Sequence, residues 1–432
     1  PLIPLHLPTL MLSRSLLFAG LAVLLFSGTA LARTFRVLFI GNSYVAVNDL
    51  PNQLRNFCLA AGDTLIVDSS APGGYTFEAH STDATTLQKI AAGGWDFVIL
   101  QEQSQRPAFP PSQVEQEVYP FAQVLDSLIH VSNPCAKTVF FMTWGRKYGD
   151  QSNCAFYPVI CTYEGMQMRL RESYVEMADD NQALVAPVGM AWRASWYADS
   201  TLNLWSGDNS HPSIDGTYLA TCVFYATLFG ATPVGNTYTA GIAAARVQHY
   251  QQIAASVVND SASTWNIGEF EPQAGFGYSA LGNGLFQFTD QSDNAQSISW
   301  DFGDGGVSTQ ASPSHTYTAT GIYTVTQVVS DGCTSDTSVQ TVNVSLIGIE
   351  EAESVDILVF PNPVADMLRV RFDGQVVPER WALYTFDGRL AMEGRFTGQA
   401  DAVLDLSALP AGSYELLLQQ GDKRFRKSLF KR

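Results

Sequence analysis

The sequence predicts an α/β domain, with a parallel sheet covered by helices on both faces, followed by two small all-β sandwich domains. Three observations carry that expectation. Residues 33 to about 262 alternate short apolar runs with longer segments of helical spacing, the pattern of parallel strands joined by crossover helices. From Phe270 to Val344 the composition shifts to Gly, Ser, Thr, Asp and aromatics, with short alternating runs such as Tyr323 to Val329. That is how a small antiparallel sandwich reads. Residues 355–432 are β-patterned again, after a short acidic linker.

Taken in order, the chain begins with a secretory pattern. From Met11 there is Arg14, an apolar run from Leu16 to Phe26, then Ala30-Leu31-Ala32 as a small-residue cleavage site. The run is short for a membrane span, and Ser27-Gly28-Thr29 breaks it. No other membrane segment is expected. Residues 1–10 read as an upstream start. A length of 432 residues exceeds one ordinary core. The formal net charge of -17 argues against nucleic acid as a partner. Cys154 and Cys161 could close a short loop in an oxidising compartment, and Cys135 could pair too. Spacing does not fix the pairing, and no Cys/His spacing resembles a zinc site.

Phe35 to Ile40 is apolar at five of six positions, as expected for a strand buried on both faces. Gly41 stops it, and Ser43 follows just past its end. Asn52 to Ala61 reads as a helix, with Leu54, Phe57, Cys58 and Ala61 on one face and Gly62 closing it. Further strands are expected at 64–69, 95–100, 137–142 and 183–188. Helices are expected at 114–129, 163–178, 214–229 and 239–258. The strand ends carry Ala71 to Thr76, Gln101 to Ser104, and Thr143-Trp144-Gly145. In a parallel α/β sheet, that edge is where ligands bind.

The later segments carry family resemblances. Trp300-Asp301-Phe302-Gly303-Asp304-Gly305, His315-Thr316-Tyr317 and Gly321 to Val325 resemble the PKD domain, an immunoglobulin-like sandwich. Asp301 and Asp304 suggest calcium, but turn capping explains them more simply. Val359 to Val364, Tyr384 to Arg389, Leu406 to Tyr414 and the basic end Lys423 to Arg432 resemble the C-terminal sorting domain of type IX secretion. That resemblance implies a Gram-negative bacterium of the Bacteroidetes type, passage through the periplasm, the type IX machinery as partner, and a secreted or cell-surface destination.

The chemistry rests on Gly207 to Gly216. Asp208 and His211, three apart in a loop, can face each other, so the carboxylate holds Nδ1–H and leaves Nε2 free as a base. With Ser43 this supplies nucleophile, base and orienter. Gly41-Asn42-Ser43 after the first strand, Gly73-Gly74 after the second, a polar cluster after the third, and Asp208-x-x-His211 resemble the SGNH (GDSL-type) hydrolases over about residues 35–232. The resemblance implies a flavodoxin-like sheet and ester hydrolysis, often of acetyl or acyl groups on carbohydrates, with no cofactor and no metal. It makes Ser43 the nucleophile, His211 the base and Asp208 its orienter. The oxyanion hole is expected from the Ser43 and Gly74 N–H groups and the Gln103 side chain.

Two departures stand out. Position 42 is Asn where the commonest family pattern has Asp, and the third block offers Gln101-Glu102-Gln103 where Asn is usual. An ordinary α/β-hydrolase elbow needs Gly two residues after the nucleophile, and here that residue is Val45. Trp144, Arg146 and Trp192 fall at or past strand ends as candidate substrate contacts, with core packing at least as good an account of Trp192. The expected layout is 1–32 signal peptide and upstream residues, 33–265 catalytic domain, 268–345 PKD-like sandwich, 346–354 linker, and 355–432 sorting domain. The alternatives are a lipase or thioesterase on the same scaffold, or a non-catalytic surface adhesin using the PKD-like domain.

Overall fold

The computed structural model describes residues 32–346, 357–372, 378–397, 401–421 and 423–432. The expected signal peptide up to residue 31, and the expected linker past Leu346, lie outside the described residues. By its backbone contacts the chain divides into two compact units. One runs to Ser279 and takes in Gln287–His315 and Tyr323–Val342. The other comprises Ala280–Phe286, Thr316–Ile322 and Asn343–Arg432.

The first sheet contains β1 (Thr34–Ile40), β2 (Thr64–Ser70), β3 (Phe97–Leu100), β4 (Lys137–Phe141) and β5 (Leu184–Ala186). Their spatial order is β2-β1-β3-β4-β5, and every pairing is parallel. This is the flavodoxin-like order, whose direction of winding reverses between β1 and β3. Ile40 pairs with Ser70 on one side and Leu100 on the other, and Leu100 pairs with Phe140. The C-terminal ends of the strands therefore line one edge.

The helices of this domain are α1 (Ser43–Ala46), α2 (Leu50–Ala60), α3 (Phe77–Thr82), α4 (Ala84–Ala91), α5 (Pro111–Glu117) and α6 (Tyr119–Ser132). They continue as α7 (Tyr163–Asp180), α8 (Val188–Ala198), α9 (Ile214–Phe229) and α10 (Ala244–Asn259). The single helix expected at 114–129 is two, because Pro120 in the first turn of α6 cannot continue α5.

Side chains alternate across the strands and build a core on each face. Val37, Phe39, Val139 and Phe141 pack with Leu54 and Phe57 of α2 and Val223 and Phe224 of α9. Leu38, Ile40, Val98, Leu100 and Phe140 pack with Ile90 of α4, Leu125 and Ile129 of α6 and Leu170 of α7. Each such side chain contributes about 1.5–3 kcal/mol by leaving water. Helix α9 is buried at every position from Asp215 to Phe229, so the loop that leads into it is anchored on a rigid element.

Residues 276–344 form two antiparallel sheets. In spatial order these are Ser314–Thr316, Leu285–Asp290, Phe276–Gly282, and Ser335–Val344, Gly321–Ser330, Ser297–Asp301, Val307–Ser308. Residues 357–431 form a second two-sheet domain, with Leu368, Val370, Leu383, Leu416 and Leu418 in its core. Cys154 is disulfide-bonded to Cys161, and Cys135 to Cys333, 198 residues away. Cys58 and Cys222 are buried free thiols.

Candidate active site

Ser43 opens α1 two residues past Gly41, the end of the apolar run of β1. Its Oγ lies 2.8 Å from Nε2 of His211. The other ring nitrogen, Nδ1, is hydrogen-bonded to Oδ2 of Asp208. Asp208 Oδ1 accepts from Ser206 Oγ (2.7 Å) and from the backbone N–H groups of Ser210 (3.0 Å) and His211 (2.9 Å). Partial burial pushes the Asp208 carboxyl up. The hydrogen bonds from His211, Ser206 and the two backbone N–H groups outweigh it and hold the group well below the usual carboxylate range. Asp208 thus faces Nδ1 as a carboxylate, which fixes the hydrogen there and leaves Nε2 to accept from Ser43.

The loop that carries Asp208 and His211 is tied down from outside. Ser206 N–H donates to His211 O (2.8 Å), and Lys147 N–H donates to Asn209 O (3.0 Å). Trp144 Nε1 donates to Ser210 O (2.9 Å), while Tyr44 OH and Ser210 Oγ share a hydrogen bond of 2.7 Å. The Tyr44 ring stacks on Trp144 and meets the His211 ring edge-on. Trp144 in turn stacks on Trp192, with ring centroids 3.9 Å apart.

This corrects the expectation that Trp144 and Trp192 contact substrate. They are 1% and 0% exposed, so neither offers a face to a ligand. They are the floor on which the turn that carries Ser43 and the loop that carries His211 meet. Arg146 is different: its side chain is about a quarter exposed and sits 3.5 Å from Asp150 Oδ1.

The turn around Ser43 is held residue by residue. Gly41 O accepts from His80 Nε2 (2.7 Å), whose Nδ1 pairs with Thr86 Oγ1 (2.8 Å). Burial pushes the His80 pKa down, so the ring is the neutral donor this arrangement needs. Asn42 N–H donates to Gln101 Oε1 (2.9 Å). A Cβ at Gly41 would lie 2.6 Å from that same oxygen and 2.8 Å from Val45 Cγ2, so a larger residue must displace the glutamine that holds Asn42. Asn42 Oδ1 caps Tyr44 N–H (3.2 Å), and its Nδ2 donates to Tyr75 O (3.0 Å).

Gly74 stands beside Tyr75 with φ of +75°, a conformation open to glycine. Among the described residues, no acceptor faces the backbone N–H of Ser43 or of Gly74. The two glutamines after β3 differ. Gln101 is fully buried with both ends of its amide engaged, the oxygen by Asn42 N–H and the nitrogen by Glu102 O. Gln103 is partly exposed; its Oε1 accepts from Gln105 N–H (2.8 Å) and Arg106 N–H (3.3 Å), and its Nε2 donates once, to Gln105 Oε1. One amide hydrogen of Gln103 is left over.

Between them Glu102 is buried and accepts from the N–H groups of Phe77 (2.8 Å) and Gln103. Burial raises its pKa to about 7, against the pull of those two bonds. Sequence reasoning placed no role on His80, Glu102 or Tyr44. The available signal for Glu102 was strand alternation, which puts it on the opposite side from the two glutamines.

Comparisons with known proteins bear on the later domains first. A family model described as the PKD domain matches residues 284–346, and one described as the secretion system C-terminal sorting domain matches residues 358–432. The chain carries a PKD domain and a sorting domain. The sorting domain marks it for export, to be secreted or held at the cell surface. No helix among the described residues is long and apolar enough to cross a membrane. In the PKD domain Asp301 and Asp304 cap turns, through the N–H groups of Gly303 (2.8 Å) and Gly306 (2.9 Å). Asp304 also pairs with His315.

Solved structures similar to parts of the chain include a DUF4886 family protein from Bacteroides uniformis. It is 17% identical over 52% of this chain and 96% of that one, with a TM-score of 0.45. A protein from Slackia heliotrinireducens, provisionally assigned as an SGNH hydrolase, is 26% identical over 45% of this chain and 99% of that one (TM-score 0.38). The PKD1 domain of a Vibrio cholerae metalloprotease, PrtV, is 38% identical over 17% of this chain and 96% of that one (TM-score 0.17). A comparison with curated proteins finds no match.

Proposed function

We propose that the chain is an exported serine esterase of the SGNH type, acting on ester groups, with acetyl esters of carbohydrates as its substrate class. The observation that carries this reading is the unbroken hydrogen-bond line from Ser43 Oγ through His211 to Asp208. His211 Nε2 takes the hydroxyl proton as Ser43 Oγ attacks the ester carbonyl, and the imidazolium forms against the ionised Asp208. The developing oxyanion is met by the N–H groups of Ser43 and Gly74 and by the remaining amide hydrogen of Gln103. The alcohol departs with the proton from Nε2. Water, deprotonated by the same nitrogen, then releases the acid and restores the Ser43 hydroxyl. Arg146, at the partly exposed end of its loop, is the remaining candidate for a polar contact with substrate.

The test is covalent labelling by a fluorophosphonate, paired with acetate release from acetylated polysaccharide fragments and a series of p-nitrophenyl acyl esters. Wild type is labelled and Ser43→Ala is not, with turnover lower by roughly 10⁴–10⁶. A preference for long acyl chains turns the reading toward a lipase or thioesterase. An unlabelled, inactive wild type leaves the adhesin.

A further inference from the structure

Asn42 is the residue at which this chain departs from the commonest pattern before the nucleophile, and it has more hydrogen-bond partners than a plain turn residue needs. It is 2% exposed. Its N–H is held by Gln101, its Oδ1 caps Tyr44 N–H, and its C=O accepts from Val45 and Ala46. All of these lie within the nucleophile turn or just past the end of β3. Its Nδ2 leaves that turn and donates to Tyr75 O at 3.0 Å. Tyr75 follows Gly74, in a loop fixed on its far side by Glu102 accepting from Phe77 N–H at 2.8 Å. Asn42 is thus a bridge between the turn that presents Ser43 Oγ and the loop that presents Gly74 N–H.

The chemistry of that bridge selects the residue type. Tyr75 O is a carbonyl and accepts only. A carboxylate at position 42 would still cap Tyr44 N–H but would set an acceptor against an acceptor. A serine would also cap the turn, yet its hydroxyl is too short to follow the amide out to Tyr75 O.

Resting on the esterase reading above, we propose that Asn42 is a positioning residue. Through the Nδ2 bond to Tyr75 O it sets the Gly74 N–H against the carbonyl oxygen that Ser43 attacks, and it must be an amide to do so. The donor matters most in the transition state, so its displacement lowers kcat more than it changes KM.

The experiment compares Asn42→Asp and Asn42→Ser with wild type in the full chain, using p-nitrophenyl acetate across a range of pH. Both variants keep the cap on Tyr44, and a thermal melt of each checks that they fold. Both are expected to lose about 10–100-fold in kcat, with KM within about threefold. The ratio of Asn42→Asp to wild type rises as pH falls, because a protonated carboxyl again donates to Tyr75 O. Asn42→Ser shows no such recovery. The ionisable groups around the bridge, His80, Glu102, Tyr75 and Tyr44, with His211 beyond, are present in all three proteins, and Asn42→Ser, which adds no charge, is the reference for their contribution. An Asn42→Asp variant within twofold of wild type overturns the proposal, as does a loss shared by both variants and independent of pH. Should Asn42→Asp not fold, an Asn42→Ser with wild-type kcat overturns it alone. A wild type that neither labels nor hydrolyses esters overturns the esterase reading, and this proposal with it.

Discussion

At the scale of single residues, the two glutamines after β3 differ in burial: each amide nitrogen donates once, but only Gln103 reaches the surface, so the proposed reading gives the chemical role to Gln103. Gln101 has no accessible surface and spends both ends of its amide on backbone. Removing it strands the buried Asn42 N–H, which costs about 1–3 kcal/mol of stability. Gln103 has its oxygen anchored by two N–H groups and keeps one amide hydrogen. Gln103→Ala is therefore expected to lower kcat by roughly 10²–10³ with little change in KM. Gln101→Ala should lower the melting temperature instead. Steady-state kinetics beside a thermal melt separate the two, and exchanged phenotypes would assign the third donor to Gln101. The residues that the geometry brings together, Ser43, Asp208 and His211, were legible because each stands at a fixed offset from a strand end or a loop motif. The tryptophans were not. Trp144 and Trp192 also follow strands, but whether an aromatic ring faces solvent or a second ring depends on helices far away in the chain, here α8 and the loop before α9.

At the scale of elements, the sheet was readable where strands are continuous apolar runs, and less so at their edges. The run at Trp95 begins two residues before β3: Asp96 N–H donates to Arg36 O and Asp96 O accepts from Lys137 N–H (2.9 Å each), its carboxylate accepts from Arg36 N–H (2.7 Å), and the paired register starts at Phe97. Strand alternation turns Glu102 away from the two glutamines, but it does not show that this carboxylate braces α3. Glu102, just past β3, accepts from Phe77 N–H at the start of that helix. Its pKa is raised from 4.5 to about 7 by burial. Between those two values the folded chain keeps a proton that the unfolded chain has lost. Stability from this group is therefore full below about 4.5 and is lost as pH rises through about 7. The shift corresponds to about 3 kcal/mol. Glu102→Gln removes the titration, although it turns an amide nitrogen toward one of the two N–H groups and lowers stability at every pH. The measurement is the slope of melting temperature against pH from 4 to 8 for both proteins. A wild-type slope unchanged in the variant would assign the titration to another group.

At the scale of the whole molecule, the sequence marked where composition changes but not what crosses the change. The boundary it suggests, after residue 265, cuts inside a packed segment. Trp265 is 4% exposed in the α/β core, and Asn266 Nδ2 donates to Asp179 Oδ1 (2.9 Å) and Ala183 O (3.1 Å). Two further ties run past it, the Cys135–Cys333 disulfide into the sandwich and the ion pair of Lys137 with Glu271 just before its first strand. Cys135 and Lys137 lie at the N-terminal end of β4, whereas Trp144 and the site lie past its C-terminal end. The disulfide should therefore govern stability and leave chemistry alone. Cross-links of this kind stabilise by about 2–4 kcal/mol, mainly by restricting the unfolded chain. Cys135→Ser with Cys333→Ser is expected to lower the stability by that much, seen as a lower melting temperature, while kcat stays within twofold of wild type. A matched pair of truncations carries the same logic to the boundary. Residues 33–268 with Cys135→Ser keep Asn266 and should fold and turn over ester. Residues 33–265 with the same change lose its two bonds and should melt at a lower temperature, with equal activity per folded molecule. A large loss of kcat in the folded 33–268 fragment would mean that the PKD domain takes part in building the site.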